Sequence, residues 1–181
     1  MIPRLIGFSP GADGSPRDLQ SLVEAGCRGG MDGLILHAKH PDALHIAVAA
    51  GWGLHLPSGK DPAAFRSQIT GLLGMSCHSL QTLLTAAAAG CDYACLSPIF
   101  PPHSKPEDTR EALGVTVLAE AAKALRLPII ALGGMTPQGA VQCTAAGAHG
   151  VASMGALFAP GSDPEDTHDA ARALRAAMAK D

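Results

Sequence analysis

One repeating alternation constrains this chain more than any other feature. Short apolar runs without polar alternation are followed by alanine-rich stretches, several of which end in glycine. The runs are Arg4–Phe8, Gly33–His37, Gly53–Leu56, Leu73–Cys77, Tyr93–Leu96, Ile129–Leu132 and Gly150–Ser153. A strand that reads apolar throughout is buried on both faces, as the strands of a parallel sheet usually are. Between the runs the pattern predicts helices over Pro16–Ala25, Pro41–Ala50, Pro62–Gln68, Leu80–Ala89, Val115–Leu125, Pro137–Ala146 and Pro164–Ala179. Ser15-Pro16, Thr136-Pro137 and Asp163-Pro164 read as an N-cap followed by proline at the first helical position. Gly26, Gly51, Gly90 and Gly147 stand where left-handed C-caps are wanted.

Repeated βα units either close into a barrel or form an open doubly wound sheet. Seven strands are legible, and 181 residues lie below the roughly 200 at which (β/α)8 barrels begin. The reading is therefore one domain over residues 1–181, an α/β fold resembling a TIM (β/α)8 barrel. One βα unit is shortened or missing near residues 26–53. An open wall there would expose an edge strand for a second copy to cover, which suits a homodimer.

Composition narrows the function. A hydrophobic content of 47% supports one sizeable core. The net charge is −3, no basic block occurs and aromatics make up 3%, so nucleic acid is not an expected partner. No apolar run reaches the ~18 residues of a membrane span, and the first residues lack a signal-peptide pattern. Five scattered cysteines without a CxxC pair read as reduced thiols of a cytoplasmic protein.

The stretch 129-IIALGGMTP-137 ends a buried strand on Gly133-Gly134, just before a capped helix. Ligands of parallel βα folds bind at that end of the strands. The last strand also ends near a glycine, Gly155, after Met154. Free N–H groups and helix dipoles at two such turns favour a phosphate. The loop 97-SPIFPPHSKPED-108 follows another strand and presents Ser104 and Lys105 between prolines, fit for a pyrophosphate or similar anion. In 76-SCHS-79, Ser76 or His78 ends a strand at the same face, and Ser79 reads as an N-cap. His37 and His40 flank Lys39 without acidic or cysteine companions, a poor metal set.

From Trp52 to Phe158 the chain resembles the thiamine phosphate synthase family, including its thiazole tautomerase (TenI) branch. The elements that carry this are 53-GLHLP-57, 74-GMSCHS-79, 92-DYACLSPIFPPHSK-105, 113-LGV-115, 128-PIIALGGMTP-137 and 147-GAHGVASMGALF-158. The resemblance implies a barrel that couples a thiazole phosphate to a hydroxymethylpyrimidine diphosphate and releases pyrophosphate with Mg2+. It places Gly133, Gly134, Met154 and Gly155 at the thiazole phosphate. Ser76, Ser104, Lys105 and Lys39 fall on the pyrophosphate side, with Lys105 the principal cation and Asp61 a metal ligand.

The chain departs from the family pattern in that half of the site. A family arginine and lysine two apart become His37-Ala38-Lys39, the Asn-Asp pair has no counterpart, and an acidic ligand falls at Lys60 with Asp61 one place late. Position 102 is proline where threonine is usual. In the tautomerase branch the catalytic histidine aligns with Pro98, so His78 or His103 would take its place as acid and base. Three readings stand: a synthase, a tautomerase, or a non-catalytic binder of phosphorylated thiazole or thiamine phosphate.

Overall fold

The computed structural model of the chain describes residues 1–9, 19–36, 44–48, 51–101 and 110–179. Eight strands pair in sequence order and the last returns to the first, closing a barrel. They are β1 (Leu5–Phe8), β2 (Gly33–Leu36), β3 (Leu44–Val48), β4 (Gly51–Leu56), β5 (Leu73–Cys77), β6 (Tyr93–Leu96), β7 (Ile129–Leu132) and β8 (Gly150–Ser153). The helices are α1 (Leu19–Arg28), α2 (Ala63–Arg66), α3 (Leu80–Ala88), α4 (Gly114–Ala124), α5 (Pro137–Ala145) and α6 (Pro164–Met178).

The shortened unit lies where the sequence pattern breaks, and its form corrects the expectation. The helix predicted over Pro41–Ala50 is instead strand β3, which runs antiparallel to both β2 and β4. Only residues 49–50 separate β3 from β4, too few for the helical crossover that a parallel neighbour needs. An up-and-down pass thus replaces one βα unit, and the wall still closes. Among the described strands none is left as an edge, so the edge-strand argument for a homodimer lapses.

Residue alternation sorts the side chains of the strands. Ile6, Phe8, Ile35, Tyr93, Cys95, Ile130 and Ala152 form one buried cluster inside the barrel. Their neighbours Leu5, Leu34, Ala94, Leu96, Ile129 and Val151 face outward into the layer beneath the helices. Fully apolar strands follow from this, since both faces are buried.

The punctuation is observed at the starts of α3, α5 and α6, whereas α2 and α4 have no side-chain cap and Ser15-Pro16 lies outside the described residues. Thr136 Oγ1 accepts from Gly139 N–H, and Asp163 accepts from Glu165 and Asp166 N–H, each with proline next in the chain. Ser79 caps α3 in a reciprocal box with Thr82, its expected structural role. Gly90 and Gly147 take left-handed backbones after their helices. Gly26 does not, because α1 continues through it to Arg28 and the left-handed residue is Gly30. Gly51 instead opens β4.

Asp32 locks the N-terminal end of the barrel. It accepts from the Arg4 and Leu5 N–H groups at 2.9 and 2.8 Å, and from Arg175 of α6 at 3.1 Å. All five cysteines are free thiols. Among the described residues no helix is long and apolar enough to cross a membrane.

Candidate active site

The C-terminal ends of the parallel strands carry the sequence-predicted residues that lie within the described segments. Ser76 stands on β5 with its side chain inward, two residues beyond Gly74. Its Oγ lies 2.9 Å from His55 Nε2, and the other ring nitrogen, Nδ1, lies 2.9 Å from the Tyr93 hydroxyl. His55 and Tyr93 are both 0% exposed. Their rings stack with 5.6 Å between centroids, and Phe8 meets His55 edge-on at the same spacing. Gly74 makes this possible, because a Cβ there would collide with the Tyr93 ring.

Hydrogen-bond capacity decides which way this chain of groups points. Burial pushes the Tyr93 phenol well above its ordinary pKa, so it keeps its proton. Within the described residues His55 is its sole hydrogen-bond partner. An Nδ1–H on His55 would leave the buried phenol O–H without an acceptor, at a cost of about 1–3 kcal/mol. Tyr93 therefore donates to Nδ1, and Nε2–H donates to Ser76 Oγ. Sequence reading left His55 and Tyr93 unassigned. The signal was present: each stands between outward-facing residues, so period-two alternation turns it into the barrel.

His78 follows β5 at the mouth. Its Nδ1–H donates to the Ser97 carbonyl at 2.7 Å, and Arg110 Nη1 lies against the ring, 2.8 Å from Nδ1 and 2.7 Å from Nε2. Arg110 is a cation at the mouth that the sequence reading did not assign, since nothing local marks it.

The paired glycines answer to packing as well as to any ligand. Gly133 and Gly134 have φ of +104° and +56°. A Cβ on Gly133 would lie 2.9 Å from Pro98 Cα, and one on Gly134 would strike the Pro101 carbonyl oxygen. The loop after β6 lies directly on them, with Ile99 and Phe100 N–H donating to the Leu132 and Gly133 carbonyls. The N–H groups of Gly134 and Gly155 have no partner among the described residues. After β8, Met154 O accepts from Leu157 and Phe158 N–H, and Ser153 Oγ accepts from Ala156 N–H. Gly155 is not among the left-handed glycines, so its backbone does not require glycine. A cleft of about 290 Å³ beside the start of α5 is lined by Phe100, Gly134, Thr136, Gln138, Gly139 and Gln142.

Asp61 lies on the loop after β4, where its Oδ1 accepts from Ala63 N–H at 3.0 Å. Among the described residues no three His, Cys, Asp or Glu side chains gather as a metal site. Lys39, His103, Ser104 and Lys105 lie outside the described residues.

The family model described as thiamine monophosphate synthase matches residues 41–157, which run from β3 through the turn after β8. The chain belongs to the thiamine monophosphate synthase family. The thiamine-phosphate synthase of Nitrosococcus oceani is 41% identical over 123 residues, covering 65% of this chain and 55% of that protein. That of Methanoculleus marisnigri is 38% identical over 138 residues, covering 74% of this chain and 63% of that protein. The chain thus spans less than two thirds of the length of these relatives. Among solved structures, a thiamine phosphate pyrophosphorylase from Pyrococcus furiosus superposes with a TM-score of 0.74 over 97% of this chain and 95% of that one. At 20% identity, that likeness shows the shared fold.

Proposed function

We propose that the chain is a thiamine-biosynthesis enzyme that joins a thiazole phosphate to a hydroxymethylpyrimidine diphosphate at the barrel mouth. The observation that carries this reading is the extent of the family match. It takes in the strand ends that bear Asp61, Ser76, Gly134 and Gly155, and the relatives it brings are named as synthases.

In this reaction the bond from the pyrimidine methylene carbon to the diphosphate oxygen breaks, and pyrophosphate leaves with its electrons. The thiazole nitrogen then forms the new bond to that carbon. Charge grows on the leaving group, so fixed donors and cations there lower the barrier. Ser76 would donate to the diphosphate, and Lys105 would supply the cation. The unpaired N–H groups of Gly134 and Gly155, with the start of α5, would hold the thiazole phosphate.

Mg2+ is commonly held by one or two carboxylates plus substrate phosphates, and the Asp61 carboxylate at this end fits such a set. Asp61 would contribute Oδ2, since Oδ1 is committed to Ala63. When bound, the ion would neutralise the leaving pyrophosphate. The tautomerase and the non-catalytic binder are not favoured. The relatives carry synthase names.

The test is release of pyrophosphate from the two substrates with Mg2+, alongside Lys105→Ala. Activity that falls by about 10²-fold or more in the variant supports the reading. Wild-type protein that makes no thiamine phosphate overturns it.

A further inference from the structure

We infer that Tyr93 and His55 are positioning residues that act through Ser76, fixing its hydroxyl as a donor aimed out of the barrel toward the mouth. The substrate of that donor rests on the synthase reading; the orientation itself does not. Three observations carry the inference. Tyr93, His55 and Ser76 form one line, with 2.9 Å at each link, running from the buried interior to the half-buried end of β5. Tyr93 has no second hydrogen-bond partner within the described residues, so its proton goes to His55 Nδ1. Ser76 has no hydrogen bond besides the one from His55, so its own proton has no acceptor in the described protein.

Each hydroxyl and imidazole in the line has a fixed capacity. Once Nε2–H donates to Ser76 Oγ, the Ser76 proton cannot turn back toward the histidine. It is left for an acceptor at the mouth, such as a diphosphate oxygen. Without the Tyr93 hydroxyl nothing in this line holds the imidazole proton off Nδ1. Nε2 then becomes an acceptor, and Ser76 donates inward. The interior tyrosine therefore sets the polarity of a serine one layer above it. Gly74 belongs to the same device, since its missing side chain is the space the Tyr93 ring occupies.

Two readouts test this on the full chain. In protein labelled with 15N-histidine, the His55 signals are assigned by their loss in His55→Gln. The wild type is expected to show a proton on Nε2 and an unprotonated acceptor at Nδ1, and Tyr93→Phe is expected to lose that bias. A proton on Nδ1, or on both nitrogens, in the wild type overturns the inference. The second readout is a kinetic cycle. Tyr93→Phe is expected to lower kcat roughly tenfold with KM little changed, the scale of one misdirected hydrogen bond. In a Ser76→Ala background the same substitution should cost nothing further. Additive losses would mean that Tyr93 acts by another route and would overturn the inference. Should the wild type make no thiamine phosphate, the synthase reading falls, and the tautomer spectrum alone decides the orientation.

Discussion

The ring of Tyr93 fills the space that a side chain on Gly74 would occupy, across the paired strands β5 and β6. The tyrosine is fully buried and tied to His55, so it has nowhere to retreat. Gly74→Ala is expected to destabilise the fold by about 1–3 kcal/mol, the usual range for an overpacked core. Urea unfolding of variant and wild type measures this, and an unchanged midpoint would show that the barrel interior has slack.

Asp92 and Arg66 secure the turn into β5. Asp92 Oδ2 accepts from Arg66 at 2.8 Å and from Leu73 N–H at 2.7 Å, while Arg66 also donates to the Ile69 and Gly71 carbonyls. The pair is partly exposed, so solvent weakens its Coulomb attraction, but the backbone bonds remain. Asp92→Ala is expected to cost about 1–2 kcal/mol by thermal or urea unfolding. Asp92→Asn, which keeps an acceptor, should recover part of it.

Asp163 closes the N-terminus of α6 by accepting from Glu165 and Asp166 N–H at 2.8 and 2.9 Å. Asp163→Ala should lower stability by about 1 kcal/mol, as for other lost N-caps, and Asp163→Ser should restore most of it. Equal stability of all three proteins would mean that α6 frays without consequence.

The thiols set an alkaline limit. Burial pushes Cys77 and Cys91 up to about 11 and Cys143 to about 12, from an ordinary 9.0, and Cys95 further still. An unfolded chain gives up these protons from about pH 9 upward, whereas the folded chain holds them to about 11 or 12. The unfolded state then binds fewer protons, so stability is full below about pH 9 and falls as pH rises through the folded values. Unfolding midpoints from pH 7 to 11 check the sign. In the native protein near pH 8, Cys27 alone is exposed and should be alkylated first, although burial and Asp32 raise its pKa too. Rapid native labelling of Cys95 would contradict a closed barrel.

Gly134 carries both a left-handed backbone and the loop after β6 against it. On the proposed synthase reading, Gly134→Ala should displace that loop and weaken thiazole phosphate binding by at least about tenfold, through strain of about 1–2 kcal/mol plus the collision. Calorimetric titration with thiazole phosphate reads the change. Unaltered affinity would assign these glycines to turn packing alone.

The sequence by itself determined what short-range rules encode. Apolar strands, alanine-rich helices, the caps at Ser79, Thr136 and Asp163 and the left-handed glycines after α3 and α5 follow from neighbours within a few residues. The quoted motifs carried the family as well, because strand-end loops keep their chemistry in contiguous stretches. Segment 44–48 shows where this stops. Its local composition reads as helix, yet it pairs with β2 and β4 as a strand, because a ladder is set by what lies beside a segment and not by the segment's own composition. The Tyr93–His55–Ser76 line is of the same kind. Alternation could turn each residue inward, but only closure of the barrel brings three strands into register and excludes the water that would otherwise satisfy their hydroxyls. Arg110 on His78 likewise exists only in three dimensions, since 32 positions separate the two in the chain.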